Sequence, residues 1–222
     1  MNLDVAIEQL LEAAAKVRAT SFADDKTPLG NALALSKEED LIKTGKSEFD
    51  VIVFGDLNDF KHLNDTYTHE AGNLAIEKIG KKIQKEFIQK IIGKAFRLSG
   101  DEFVILLKQN LIESFQAKTS SFKSVKFQYE GKWLEAKMSF GFVVSDGKSD
   151  FDELLKRAET ACLTAKSEGD GVCIKWDEEV ERNALVGFRH NCHQCGSVNK
   201  CYIPKRLSPE KLKVCSFCGE KL

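Results

Sequence analysis

Nowhere in the 222 residues does an apolar run approach the ~18 residues that a membrane-spanning helix needs, so no membrane span is expected. The first residues, MNLDVAIEQLLEAAAKVR, lack a basic start and place Asp4, Glu8 and Glu12 inside the apolar stretch. That pattern excludes a secretory signal and leads to an expected cytoplasmic location. Internal repeats and low-complexity segments are absent too. Net charge is almost lacking, at −1, but the balance is uneven. From Phe188 onward seven Lys/Arg and two Glu leave +5, so the remainder carries −6: a mildly basic tail on a mildly acidic body. What is present, 42% hydrophobic and 30% charged residues, describes a soluble globular chain of one ordinary domain plus something small.

Periodicity divides the body. Leu3, Ile7, Leu10, Ala14 and Val17 share a face at helical spacing, with Glu12 and Lys16 paired outside, so an amphipathic helix is expected over 1–20. Residues 21–31 hold Pro28 and Gly30 and read as a loop or tight turn. VIVFGDL (51–57) and FVILLK (103–108) read as buried strands, and 124–129 with 132–145 as two more around the turn Glu130-Gly131. Helices are expected over 70–90, with Ala75, Ile79, Ile83 and Phe87 in one stripe, and over 150–167, opened by a Ser149 capping box. The buried face of the latter is Phe151, Leu154, Leu155, Ala158, Cys162 and Ala165, and VCIKW (172–176) closes the sheet. Residues 178–187 read as a Glu-rich helix end or linker. The order predicts an α+β fold, a palm-like (ferredoxin-like) antiparallel-rich sheet with helices on one face.

Acids at strand mouths are the feature that needs explaining. In RLSGDEFVILLK, Asp101 and Glu102 stand directly before a buried strand; in VIVFGDL, Asp56 ends another. Burying such charges is costly unless something compensates them. Either Asp is by itself compatible with an ordinary turn acid. If the two strands are neighbours, the carboxylates converge and repel unless a cation lies between them. Mg²⁺ fits, since it takes hard oxygens, one or two carboxylates and substrate phosphates, in the manner of metal-assisted phosphoryl transfer. Gly100 would let backbone N–H groups approach a phosphate.

The same segments, in order, resemble the GGDEF domain of diguanylate cyclases. SGDEF (99–103) stands for the signature, DLNDFKHLNDTYTHEAGN (56–73) for the stretch before it, and MSFGFV (138–143) and ETACLTAK (159–166) for the later strand and helix. DDKTPLGNA (24–32) is similar to the family's opening turn. The resemblance implies condensation of two GTP molecules into cyclic di-GMP by a homodimer, each subunit holding one nucleotide. It implies that Asp56, Asp101 and the Leu57 carbonyl bind Mg²⁺ (or Mn²⁺). Glu102 assists that site or deprotonates the 3′-hydroxyl. Lys61 and Lys166 neutralise the triphosphate, Ser99 and Gly100 line it, and Asn64 and Asn73 read the base. The domain is placed at 21–178. Several positions depart from the family pattern: Asn58, Thr68, Ser99, and Ala32 and Asp170 where Arg is usual. Lys90 and Gly93 stand where a product-inhibition R-x-x-D is expected, so feedback through that site is not. Asn73 replaces an Asp, and its one acceptor and one donor suit the Watson–Crick edge of adenine, so ATP enters beside GTP as a candidate substrate. Amides also serve in guanine sites. A catalytically silent nucleotide-binding module and a linear nucleotidyl transferase are the rival readings. His62 is expected at the surface and His69 in a structural hydrogen bond.

Five of seven cysteines fall in the last 31 residues, which in a cytosolic chain favours metal over disulfides. Cys192-x-x-Cys195 and Cys215-x-x-Cys218 are each followed by Gly. Four thiolates suit a structural Zn²⁺, so a small zinc-ribbon domain is expected over 188–222. A redox or incidental pair of thiols is the alternative. The tail's lysines and arginine could touch nucleic acid or an acidic protein partner, with few aromatics for stacking. Cys162 and Cys173 are expected in the core.

Overall fold

The computed structural model describes residues 7–9, 11–12, 17, 20–91, 93–191 and 198–204. In chain order the elements are α1 (Ala32–Lys43), β1 (Val51–Asn58), α2 (Phe60–Thr66), α3 (His69–Ile83), β2 (Lys94–Ser99), β3 (Glu102–Leu107), α4 (Ile112–Thr119), β4 (Val125–Tyr129), β5 (Lys132–Val144), α5 (Phe151–Glu168), β6 (Cys173–Lys175), α6 (Glu178–Asn183), β7 (Leu185–Asn191) and β8 (Val198–Pro204).

The main sheet has the order β2-β3-β1-β5-β4, every neighbouring pair antiparallel, with β6 parallel to β5 beside Phe140–Phe142. The expected antiparallel-rich α+β sheet is therefore present, but the helices lie on both faces rather than one. The alternation of side chains along the strands shows it. Val51, Val53, Ile105, Leu107, Phe140 and Phe142 pack with Ala75, Ile79 and Ile83 of α3 and Phe115 of α4. Ile52, Phe54, Val104, Leu106 and Val143 pack with Leu35 of α1 and Phe151, Leu154, Ala158 and Cys162 of α5. Doubly covered strands have no polar face, which is why VIVF and FVILL read as continuous apolar runs. Gly141 permits the close approach of α5: a Cβ there would lie 2.1 Å from the Cys162 nitrogen and 2.3 Å from the Ala158 oxygen.

Other expectations need adjustment. The cap of α5 is Asp150, whose side chain accepts from Glu153 N–H at 2.8 Å; Ser149 instead donates its hydroxyl to Asp146. The helix expected over 70–90 runs through α3 and then a π-turn, Gln84–Ile88, which keeps Phe87 buried. There Phe87 joins Phe115, Phe122 and Phe140 in one aromatic cluster. Four elements of the body, before residue 178, escaped the periodicity: α1, α2, α4 and β2. Each is short or buries little, α1 only Leu35 and α2 none of its residues, so the amphipathic signal is weak. The Glu130-Gly131 turn has both residues at positive φ, 47° and 75°, as a two-residue hairpin between β4 and β5 requires. The Glu-rich segment is α6, and β7–β8 form a separate antiparallel pair.

Of the predicted N-terminal helix, residues 7–9, 11–12, 17 and 20 are described, and all are helical. Ile7 and Val17 are 48% and 65% exposed. Leu3, Leu10, Ala14 and Lys16 lie outside the described residues, as do Cys192, Cys195, Cys215 and Cys218. Cys162 is buried, as expected, and Cys173 half-buried. Among the described residues no helix is long and apolar enough to cross a membrane.

Candidate active site

The two acidic stretches meet because β1 and β3 are neighbours. Asp56 stands opposite Glu102 on one side and Ser139 of β5 on the other. Asp56 continues the side of β1 that carries Ile52 and Phe54, and Glu102 the side of β3 that carries Val104 and Leu106; both sides pack on α5. Lys166, in the last turn of α5, therefore reaches the strand end. Its Nζ lies 2.7 Å from Asp56 Oδ2 and donates to the Leu57 carbonyl at 3.0 Å. The Leu57 N–H in turn donates to the Asp101 carbonyl at 3.3 Å, which ties the signature turn to the end of β1.

Burial pushes the Asp56 carboxyl up to about 6, against the pull of Lys166, and the Asp101 carboxylate pushes it further the same way. Asp56 Oδ1 is buried without a hydrogen-bond partner. A buried carboxylate oxygen left unpaired is costly, and a ligand that fills its coordination would remove the cost. The ammonium of Lys166 already sits between a carboxylate and a carbonyl, the oxygens that a hard cation takes. Among the described residues no three His, Cys, Asp or Glu side chains close on one point. The donor set is two carboxylates and a carbonyl, which suits an ion that completes its shell with phosphate and water.

Glu102 accepts from the Ser99 hydroxyl at 2.8 Å. Across from it, Glu159 of α5 is raised by burial and by the Glu102 charge. Gly100, at φ +46°, turns the chain between β2 and β3, and its carbonyl accepts from Arg97 Nε at 2.9 Å. Arg97 also bridges to Asp24 Oδ1 at 2.9 Å, with both side chains close to buried. Hydrogen bonds from Thr27, the Lys26 N–H and Arg97 hold the Asp24 carboxyl below its usual range, although burial opposes them.

Asp56, Leu57, Ser99, Gly100, Asp101, Glu102 and Lys166 are thus gathered at one end of the sheet. Lys61, Asn64 and Asn73 lie on the adjoining helices α2 and α3. Lys61 and Asn73 are exposed, and Asn64 is half-buried with its Oδ1 lacking a partner. His62 is exposed, as expected, within 3.4 Å of Thr66 Oγ1; His69 is exposed at the start of α3. Thr68 caps α3 and bonds to the Tyr129 hydroxyl at 2.7 Å, which accounts for a hydroxyl residue there. Sequence reasoning assigned no role to Asp24, Lys26, Arg97, Lys137 or Glu159, although four of the five stand inside quoted motifs. Asp170 is held by Asn58 Nδ2 at 2.7 Å and Lys137 Nζ at 2.9 Å, so two departures from the pattern, Asn58 and Asp170, are partners of each other.

Comparison with known proteins bears on the family and the fold. The family model for "Diguanylate cyclase, GGDEF domain" matches residues 21–171. Diguanylate cyclase DgcP of Pseudomonas aeruginosa is 26% identical over 159 residues, 68% of this chain and 23% of that protein. Diguanylate cyclase A of Treponema denticola is 30% identical over 131 residues, 56% of this chain and 34% of the relative. The chain thus spans about a quarter to a third of the length of these curated relatives. Among solved structures, the coiled coil and GGDEF domain of DgcB from Caulobacter crescentus, in complex with c-di-GMP, superposes with a TM-score of 0.67 at 20% identity, covering 78% of this chain and 94% of that one. The GGDEF domain of FimX from Pseudomonas aeruginosa gives 0.57 at 17% identity, covering 69% and 98%. A likeness at that identity establishes the shared α+β, palm-like fold, and with the family model the conclusion is plain: this chain belongs to the GGDEF-domain family.

Proposed function

We propose that the chain is a Mg²⁺- or Mn²⁺-dependent nucleotidyl cyclase that joins two nucleoside triphosphates into a cyclic dinucleotide, with GTP as the leading substrate, cyclic di-GMP as the product and ATP as the competitor. One observation carries the reading: Asp56, half-buried and with one oxygen buried and unpaired, stands opposite Glu102 and against the Asp101 carboxylate, beside the charge of Lys166. Two acids and a spare carboxylate oxygen are a poor arrangement for stability and a good one for a divalent ion.

Asp56, Asp101 and the Leu57 carbonyl would hold the ion, which when bound supplies Lewis-acid stabilisation to phosphate oxygens and makes a bound hydroxyl easier to deprotonate. Glu102, oriented by Ser99, takes the proton of the 3′-hydroxyl. Lys166 exchanges its hold on Asp56 for the triphosphate, with Lys61 and the Ser99–Gly100 turn lining it. Asn64 and Asn73 orient the base. The 3′-oxygen of one nucleotide forms a bond to the α-phosphorus of the other as that P–O bond to pyrophosphate breaks, and a second such step closes the ring. The two nucleotides come from two copies, so a homodimer is required. The exposed Ile7, Leu11 and Val17 support a dimer through the N-terminal helix, taken as 1–20. The catalytic domain is taken as 21–178.

We extend the reading to a zinc ribbon at 188–222, with structural Zn²⁺ on Cys192, Cys195, Cys215 and Cys218, supported by the paired C-x-x-C-G spacing. It would dock a protein or nucleic acid in the cytoplasm. The silent-module reading is favoured by one observation, the Asp170 carboxylate held near the strand end where the family pattern expects Arg. Incubation of the full chain with labelled GTP and ATP plus Mg²⁺ or Mn²⁺ decides between them. A cyclic dinucleotide that disappears in Asp101→Ala supports the cyclase; none at high protein concentration, with binding retained, supports the silent module.

A further inference from the structure

A single cation links the loop before α1 to the helix that carries Asn73. Lys26 Nζ donates to Asn73 Oδ1 at 2.8 Å, across 47 positions of sequence. The loop beneath it is firmly anchored. Asp24 Oδ2 accepts from the backbone N–H of Lys26 at 3.0 Å, from that of Thr27 at 2.8 Å and from the Thr27 hydroxyl at 2.9 Å. Thr27 is buried against Gly80, where a Cβ would lie 2.5 Å from the threonine Cβ. Gly80 and Asn73 are seven residues apart on α3, hence on one face two turns from each other. Thr27 seated at the first aims Lys26 at the second.

An ammonium can be met only by the oxygen of an amide, so Lys26 sets the orientation of Asn73: Oδ1 toward the cation, Nδ2 away. Oδ1 retains a second lone pair. Asn73 considered alone is adapted to the donor–acceptor edge of adenine; with the ammonium beside it the preference is reversed. Resting on the base-reading role given to Asn73 above, we propose that Lys26 is a specificity-determining residue that selects a 6-oxopurine over a 6-aminopurine. The 6-oxo group of guanine accepts from Nζ while its N1–H donates to Asn73 Oδ1. Adenine would set an N6 amino group, a donor, against the ammonium and its bare N1, an acceptor, against Oδ1.

The test is equilibrium binding to the full chain, with Ca²⁺ to suppress turnover, of GTP, ITP (6-oxo, no 2-amino), ATP and the triphosphate of 2-aminopurine riboside (2-amino, no 6-oxo). The wild type should bind the two 6-oxo nucleotides roughly ten-fold or more tighter than the other two, the scale of one charge-assisted hydrogen bond. Lys26→Met should erase most of that gap, and Lys26→Arg should keep it. A gap that survives in Lys26→Met, is lost in Lys26→Arg, or is absent from the wild type overturns the assignment and leaves the cyclase reading standing. Failure of all four triphosphates to bind overturns the cyclase reading, and this assignment with it.

Discussion

Lys166 Nζ stands 2.7 Å from Asp56 Oδ2 and within hydrogen-bond reach of the Leu57 carbonyl, so a side-chain cation occupies the place between a half-buried carboxylate and a backbone oxygen. The pair is not a simple stabilising bridge. Asp56 keeps its carboxyl raised to about 6 despite Lys166, because burial outweighs the attraction.

That imbalance has a pH signature. A carboxyl raised from 3.8 to about 6 in the folded state binds a proton that the unfolded chain has released, so stability falls as pH rises from 4 to 6. Asp56→Asn mimics the protonated form. Its advantage over the wild type should be absent below pH ~4, grow through the window and level off above it at about 1–3 kcal/mol. Thermal melts of both proteins from pH 4 to 8 would check it; a constant difference would count against a raised Asp56. Divalent-ion binding to the wild type, followed by Mn²⁺ titration, should weaken below pH ~6 as the same group protonates.

Glu102→Gln keeps the shape and the hydrogen bond from Ser99 but cannot take a proton. Turnover should fall about 100-fold or more, with nucleotide affinity changed by only a few-fold. Parallel measurement of kcat and nucleotide Kd separates this from a loss of binding.

Arg97 and Asp24 brace the signature turn against the loop before α1, and both side chains are close to buried. Removing Arg97 leaves Asp24 without its ion-pair partner, and removing Asp24 leaves Arg97 only the exposed Asp25 at 3.6 Å, so Arg97→Ala or Asp24→Ala should each cost about 3 kcal/mol. Urea denaturation of both single variants and the double variant should show strong non-additivity, since the second removal relieves the stranded charge.

Gly141→Ala would drive a Cβ into the α5 backbone, 2.1 Å from the Cys162 nitrogen. Rigid backbone cannot yield as a side-chain tip can, so a loss of about 3 kcal/mol or more is expected, read by denaturant midpoint. Because α5 carries Lys166, metal-dependent activity should fall with it.

Zinc on the proposed ribbon should be measurable as one equivalent per chain by elemental analysis. Chelation, or Cys215→Ser with Cys218→Ser, should release it and destabilise the tail while nucleotide binding by the catalytic domain persists.

Much of this was legible in the linear chain. Strands buried on both sides announce themselves as unbroken apolar runs, and α3 and α5 bury wide stripes, so β1, β3, β5, α3 and α5 could be read directly. Asp56, Asp101, Glu102 and Lys166 could be named because they stand at fixed offsets in local motifs. Sequence by itself therefore determined the elements with long apolar patterns, the family and the acids proposed here to carry the chemistry. Only the tertiary structure decided which groups meet: that helices cover both faces, that Lys166 lies on Asp56, that Asn58 and Asp170 are partners, and that Lys26 turns the amide of Asn73. Those contacts join residues 47 to 112 positions apart, and a local pattern carries no record of the packing that brings them together.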